Sequence, residues 1–243
     1  MDRGIFSVSE NAEIADSVFR MELLGDAREI RRPGQFVDVE IDGLFLRRPI
    51  SVCDWDEGSM VLIYKVVGEG TQRMSRMKPG AALDLLVGLG NGFDASKSGD
   101  RPLLVGGGVG VPPLYGLAKR LASEGKRPAA ALGFNGEKDV FYVDEFRALG
   151  VETLVATVDG TFGTKGFATD LIRGISYDYF YACGPEPMLR AVHAATEADG
   201  QLSFEQRMGC GFGACMGCSC RTKYGNKRIC RDGPVLEKNE VIV

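Results

Sequence analysis

Apolar and polar residues alternate along the first hundred positions. "FRMELLG" (19–25) and "GQFVDVEI" (34–41) place every second side chain on an apolar face, and "SMVLIYKVVG" (59–68) is β-branched and apolar. A period of two belongs to strands with one buried face. Gly25, Pro33-Gly34, Asp42-Gly43 and Pro79-Gly80 stand between these runs as breakers. Short strands with such punctuation predict a small antiparallel β-barrel over residues 1–97.

The rhythm changes near Ser96. "PLLVGG" (102–107) reads as a strand that meets a glycine loop, and a helix follows with apolar positions at Leu114, Leu117, Ala118 and Leu121. Strand and helix then alternate. "RPAAALGFN" (127–135), "ETLVATVDG" (152–160) and "YDYFYACGP" (177–185) read as strands. "VDEFRALG" (143–150), "FATDLIRG" (167–174) and "EPMLRAVHAATEADG" (186–200) read as helices. That repetition predicts a parallel sheet covered by helices, an α/β nucleotide-binding candidate over 98–200. A third module, 201–243, holds most of the cysteines, so the class is α+β multidomain.

Composition narrows the function. The chain has 243 residues, 44% hydrophobic and 26% charged, with a formal net charge of −4. Such a balance gives no general reason to bind nucleic acid. No apolar run approaches the ~20 residues of a membrane span. The first 25 residues lack a basic start followed by an apolar block, so the expected location is the cytoplasm. Thiols there stay reduced, and clustered cysteines bind metal or do redox work more often than they form disulfides.

Five of the seven cysteines fall within "RMGCGFGACMGCSCRTKYGNKRIC" (207–230). Cys210, Cys215, Cys218 and Cys230 are spaced C-x4-C-x2-C-x11-C, and the first three fit the plant-type pattern of a [2Fe–2S] cluster. Glycines at 209, 211, 213 and 217 let the loop turn sharply and aim N–H groups at sulfur. Cys220 is read as a non-ligand, with an exchange for Cys218 left open. Structural zinc is the plainer use of these thiols, but it commonly takes paired C-x2-C knuckles and only one such pair is present.

Two glycine loops suggest a nucleotide. Gly106, Gly107, Gly108 and Gly110 close a strand and open a helix at Pro112-Pro113, without forming G-x-G-x-x-G. "YACGPEPM" (181–188) repeats the strand-to-helix setting, and both loops belong at the carboxyl edge of the sheet. Cys183 there is either a small core residue or a neighbour of a nicotinamide. In the barrel half, "LRRPIS" (46–51) is read as lying between strands and "YKVVGEGT" (64–71) as following a turn later. Arg48, Ser51, Gly70 and Thr71 supply a guanidinium, hydroxyls and N–H groups suited to a cofactor.

Together "RRPIS", "YKVVGEGT", "GGGVGVPPLY", "DGTFGTKG", "YACGPEPML" and "RMGCGFGACMGCSC…RICRDGPVL" resemble the electron-transfer subunits of dihydroorotate dehydrogenase B, within the ferredoxin–NADP reductase superfamily. The resemblance implies FAD held at Arg48, Pro49, Ile50 and Ser51, with strand contacts from Ile63, Tyr64 and Lys65 and a pyrophosphate end at Gly70 and Thr71. It implies cluster ligands Cys210, Cys215, Cys218 and Cys230, and NAD near Gly106–Gly110, Asp159-Gly160 and Cys183-Gly184-Pro185. The implied partner is an FMN-containing catalytic subunit in a heterotetramer of two plus two, oxidising dihydroorotate in pyrimidine biosynthesis. Hydride transfer between stacked rings asks for no acid or base from the chain, so no catalytic side chain is implied, and the single histidine, His193, receives no role. Glu137 and Lys138 after the second nucleotide-domain strand favour NAD over NADP. The loop from Met208 to Cys220, with Phe212 and Met216, is the expected partner contact. The rival readings are the small flavin and iron–sulfur subunit of a sulfide dehydrogenase or electron-bifurcating oxidoreductase, and a non-catalytic iron–sulfur sensor or scaffold.

Overall fold

In the computed structural model, which describes residues 1–242, the alternating segments close into a barrel. Its strands are β1 (Asp2–Ala15), β2 (Val18–Leu24), β3 (Phe36–Val39), β4 (Arg48–Trp55), β5 (Ser59–Lys65) and β6 (Ala82–Leu89), paired antiparallel in the order β1-β2-β5-β4-β3-β6. Val37, Val39, Val52, Leu62, Leu85 and Met21 fill the interior. Closure removes the free edges that six short strands would otherwise expose. Arg48–Ser51, expected between strands, form the first half of β4. Proline is tolerated at 49 because that half pairs with β3 alone. A helix the pattern did not announce, α1 (Glu69–Ser75), follows β5.

The second half builds a seven-stranded sheet from β7 (Pro102–Gly107), β8 (Ala129–Phe134), β9 (Glu152–Thr157), β10 (Thr164–Lys165), β11 (Tyr179–Cys183), β12 (Gly200–Ser203) and β15 (Val235–Glu237). The order is β10-β9-β8-β7-β11-β12-β15, parallel except for β15. Helices α2 (Val111–Ser123), α3 (Val143–Ala148), α4 (Ala168–Ile172) and α5 (Glu186–Ala195) connect its strands. β7 is buried along its whole length, as a central parallel strand covered on both faces must be. Leu114, Leu117, Ala118 and Leu121 of α2 are all fully buried. Helix α5 stops five residues before the sequence pattern suggested. The chain turns extended at Thr196, whose hydroxyl donates to the Val192 carbonyl at 2.8 Å.

β12 and β15 bracket the cysteine segment, so that segment hangs from the sheet by both ends. Between them lie β13 (Ser219–Thr222), β14 (Gly225–Arg228) and α6 (Ile229–Asp232). One apolar cluster joins Val18, Cys53 and Ile63 of the barrel to Leu104, Val111 and Leu114 of the sheet and α2. A second joins Phe36 and Leu89 of the barrel to Cys218, Ile229 and Cys230. The three parts are therefore packed into one body.

Helix α2 approaches β4 closely at Gly116, where a Cβ would stand 2.7 Å from the Cys53 carbonyl oxygen. Gly116→Val forces that seam apart and is expected to destabilise the protein by about 1–3 kcal/mol. Urea unfolding measures it, and an unchanged midpoint would contradict the packing described.

Candidate functional site

The barrel opens where two strands part. β4 and β5 stay paired only as far as Val52 opposite Leu62. Below that point β4 follows β3, with Ser51 opposite Phe36 and Ile50 opposite Val37. β5 follows β2 as far as Lys65. The facing edges of Ile50-Ser51 and Ile63–Lys65 thus lack a strand partner and border a shared cleft. The side chains of the β5 residues are engaged elsewhere. Ile63 packs in the core shared with α2, and Lys65 pairs with Asp139 at 3.0 Å. Tyr64 points into the barrel, donates to Asn11 Oδ1 at 3.0 Å and stacks on Phe19. These three residues have only main-chain groups to offer the cleft.

At the mouth of the cleft, Arg48 lies across Gly70. A Cβ on Gly70 would stand 2.3 Å from Arg48 Nε, so only glycine lets the guanidinium rest on the start of α1. Thr71 Oγ1 accepts from Val67 N at 3.0 Å and Gly68 N at 3.3 Å, and donates to the Gly68 carbonyl. The hydroxyl pins the turn, and the guanidinium stands beside it.

The two glycine loops meet at the point where strand order reverses. β7 has β8 on one side and β11 on the other, and such a switch point leaves a crevice at the carboxyl ends of the strands. Gly110 is forced: a Cβ there would fall 2.2 Å from the Cys183 carbonyl oxygen. A Cβ on Gly107 would meet Met188 Sδ at 2.5 Å, and one on Gly184 would meet Met188 Cε at 2.6 Å. Gly106, Gly107, Gly108, Gly110, Cys183, Gly184 and Pro185 therefore come together. The turn Gly108–Gly110 also touches β5, which sets the crevice beside the cleft. Burial pushes the Cys183 thiol up to about 12, with Ser203 as its hydrogen-bonding neighbour, so it is uncharged at neutral pH. Asp159 lies two strands away, after β9. Its Oδ1 accepts from Thr161 N and Oγ1 at 2.9 and 2.7 Å, and Thr161 Oγ1 in turn accepts from Glu137 N.

The cysteines are grouped in pairs. Ala214 N and Cys215 N donate to Cys210 Sγ at 3.2 and 3.4 Å, and Cys230 N donates to Cys218 Sγ at 3.4 Å. Cys215 is thus the neighbour of Cys210, and Cys230 of Cys218. Among the described residues no three thiol, carboxylate or imidazole groups gather round one point. Two pairs suit two bridged irons. Burial would raise the Cys210 thiol, but the N–H groups of Cys215, Phe212 and Ala214 outweigh it and bring it down to about 6. Burial and the neighbouring Cys218 push Cys230 up to about 12. Cys220 faces α5, with Glu186 and Arg190 as its charged neighbours, and belongs to neither pair.

The cysteine loop rests on the outside of the barrel. β3 turns Val37 and Val39 inward and Phe36 and Asp38 outward. Phe36 packs in the cluster that holds Cys218 and Cys230, and Asp38 lies under Gly211, whose added Cβ would fall 2.2 Å from Asp38 Oδ2. Asp38 is itself opposite Pro49. The thiols thus sit one strand away from the Arg48–Ser51 stretch. Asp38 was not legible in the sequence because the alternation of residues 34–41 puts it on the polar face, where an acid is unremarkable. Its only sequence signal was an acid between two valines. It is buried, its Oδ1 has no hydrogen-bond partner, and burial pushes its carboxyl up to about 6 against the pull of Arg47.

Comparison with known proteins agrees with this geometry. Residues 205–242 match the iron–sulfur cluster binding domain of dihydroorotate dehydrogenase B. The chain is 45% identical to a dihydroorotate dehydrogenase B (NAD(+)) electron transfer subunit from Fusobacterium nucleatum, over 97% of this chain and 96% of that one. It is 46% identical to the subunit of that name from a Geobacillus strain, over 98% and 97%. Among solved structures, an NADH-dependent reduced ferredoxin–NADP oxidoreductase studied for flavin-based electron bifurcation superposes with a TM-score of 0.89. It is 31% identical, and the match covers 98% of this chain and 89% of that one.

A carboxyl whose pKa is raised by folding weakens the fold above that pH and costs nothing once protonated in both states. For Asp38 the cost therefore grows as pH climbs from about 4 to about 6 and stays constant above. Asp38→Asn is expected to gain up to about 3 kcal/mol at pH 8 relative to its effect at pH 4. Paired urea titrations at the two pH values check this; equal effects at both would contradict the buried, charged Asp38.

Proposed function

The chain belongs to the family of dihydroorotate dehydrogenase B electron transfer subunits, and from that footing we propose that it carries electrons from the FMN of a catalytic partner subunit to NAD+. Arg48, Gly70 and Thr71 hold the phosphate end of FAD, and Pro49, Ile50, Ser51 and the main chain of Ile63–Lys65 line its ring. Cys210 with Cys215, and Cys218 with Cys230, hold the two irons of a [2Fe–2S] cluster. Gly106–Gly110, Cys183-Gly184-Pro185 and Asp159-Gly160 receive NAD. When bound, the cluster passes electrons singly, the flavin joins single transfers to a hydride, and the nicotinamide accepts that hydride.

The residues of the chain set position and shield. Arg48 fixes a phosphate by charge-assisted hydrogen bonds. The unpaired strand edges offer main-chain donors and acceptors. Phe36, Ile229 and the barrel wall exclude water from the inner thiols, while N–H groups directed at Cys210, Cys215 and Cys218 offset negative charge on sulfur.

The observation that carries this reading is the seat of the two thiol pairs on the outer face of β3, one strand from Arg48–Ser51. The partner brings the dihydroorotate site, in a complex of two subunits of each kind. Among the described residues no helix is long and apolar enough to cross a membrane, and we place the complex in the cytoplasm. The likeness to the electron-bifurcating oxidoreductase supports a second reading, a flavin and iron–sulfur subunit of that kind. Orotate formation on mixing with the FMN subunit separates the two.

Protein purified without oxygen is expected to contain iron, inorganic sulfide and flavin together. Cys215→Ser is expected to lose most of the sulfide and Cys220→Ser to keep it; the reverse pattern would overturn the ligand assignment. Gly70→Ala displaces Arg48 and is expected to raise the FAD dissociation constant about tenfold or more, the value of one charge-assisted contact. Equilibrium dialysis with FAD reads this, and an unchanged constant would contradict the phosphate seat.

A further inference from the structure

The cysteine segment is charged unlike the rest of the chain. Residues 207–231 carry Arg207, Arg221, Lys223, Lys227, Arg228 and Arg231 and no carboxylate, in a chain of net charge −4. Lys227 pairs with Glu240 at 2.6 Å, and Arg228 with Asp232 at 3.2 Å. Among the described residues, Arg221 and Arg231 form no ion pair, although Arg231 stands near Asp232.

The β13–β14 hairpin sorts these charges by face. Ser219 is opposite Arg228 and Arg221 is opposite Asn226, so these four share one face, and Cys220, Thr222 and Lys227 share the other. The second face turns inward: Thr222 is buried, Cys220 packs on the core and Lys227 reaches Glu240. Lys223, exposed in the turn, lies on the same side, where its main-chain N–H donates to the Glu240 carbonyl at 2.9 Å. The first face belongs to the cysteine loop, because Arg228 Nη1 donates to the Gly213 carbonyl at 2.8 Å. Arg231 runs over the same glycine, where a Cβ would stand 2.7 Å from its Cδ. That loop carries Phe212 and Met216, 45% and 55% exposed. Its opposite side is closed by Asp38 and Phe36 of the barrel. The uncovered side of the loop is the one that carries Phe212, Met216 and the arginines.

We propose that Arg221 and Arg231 form a cationic rim around an apolar centre of Phe212 and Met216, and that this rim docks the catalytic partner subunit through a ring of carboxylates on the partner. The proposal rests on the electron-transfer reading above and adds the charge of the partner's face. Aromatic residues, methionine and arginine over an apolar centre are what protein interfaces favour. Opposite charge on the two faces speeds encounter and fixes register, and its effect fades with salt. Arg228 is spent on Asp232 and Gly213, so the guanidinium of Arg221, which makes no hydrogen bond among the described residues, is the freest of the three.

Stopped-flow association of the cofactor-loaded subunit with the purified catalytic subunit, over a series of salt concentrations, tests this. The wild-type rate is expected to fall steeply with salt. Arg221→Glu with Arg231→Glu is expected to slow association about tenfold or more at low salt and to meet the wild type at high salt. Lys223→Glu, on the inner side, is expected to follow the wild type. Visible spectra and NADH-driven dye reduction should match in all of them. If the double variant loses its cluster, Arg221→Glu alone makes the same comparison. A complex that forms with the same rate and salt slope in wild type and variants would overturn the rim while leaving the electron-transfer reading intact. No complex with the wild type at any salt would overturn both.

Discussion

The contact between the cysteine loop and the outer face of β3 is the constraint on which the rest depends. It is small: Gly211 on Asp38, and Phe36 among Cys218, Ile229 and Cys230. Yet it fixes the separation between the thiols and the strand that begins at Arg48. Electron transfer between cofactors is governed by distance and orientation, which a protein supplies by rigid packing. A loop joined to the body only through its chain ends would leave that separation undefined.

Rigidity comes from shared cores rather than from surface ion pairs. The barrel and the sheet are joined by buried side chains of both, and the cysteine segment is held at its two ends by β12 and β15 of the sheet. The ion pairs that cross the same seam, Lys119 with Asp54 and Lys65 with Asp139, are partly exposed and add little. The closest approaches are made by glycine: Gly116 at the seam, Gly110 between the two crevice loops, Gly70 under Arg48. Each marks a place where backbone or a guanidinium must come nearer than any side chain allows.

Much of this was legible in the residues. The periods of two and then of alternating strand and helix gave barrel and sheet, because burial on one face or on both writes itself into the order of apolar residues. The cysteine spacing pointed to a two-iron site because ligand geometry fixes spacing. Other features were not legible. Arg48–Ser51 looked like a turn, since proline and charge disguise a strand that has a partner on one side only. Tyr64 was expected as a strand contact for a cofactor, and that its side chain is spent on Asn11 and Phe19, leaving only main chain for such a contact, was a choice made by packing across strands distant in sequence. Asp38 was invisible because its meaning lies in Gly211, far along the chain. The end of α5 at Ala195 falls at a threonine that turns extended and returns its hydroxyl to the helix, a local detail that apolar periodicity does not register.

The central claim is that one chain holds a flavin and a two-iron cluster close enough to exchange electrons. Rapid mixing of the isolated, cofactor-loaded subunit with NADH, followed by optical and low-temperature paramagnetic resonance spectra, tests it most directly. The account predicts that the flavin band bleaches and the signal of a reduced [2Fe–2S] cluster rises in the same chain, without the partner subunit. A flavin that bleaches fully while the cluster stays oxidised would contradict it.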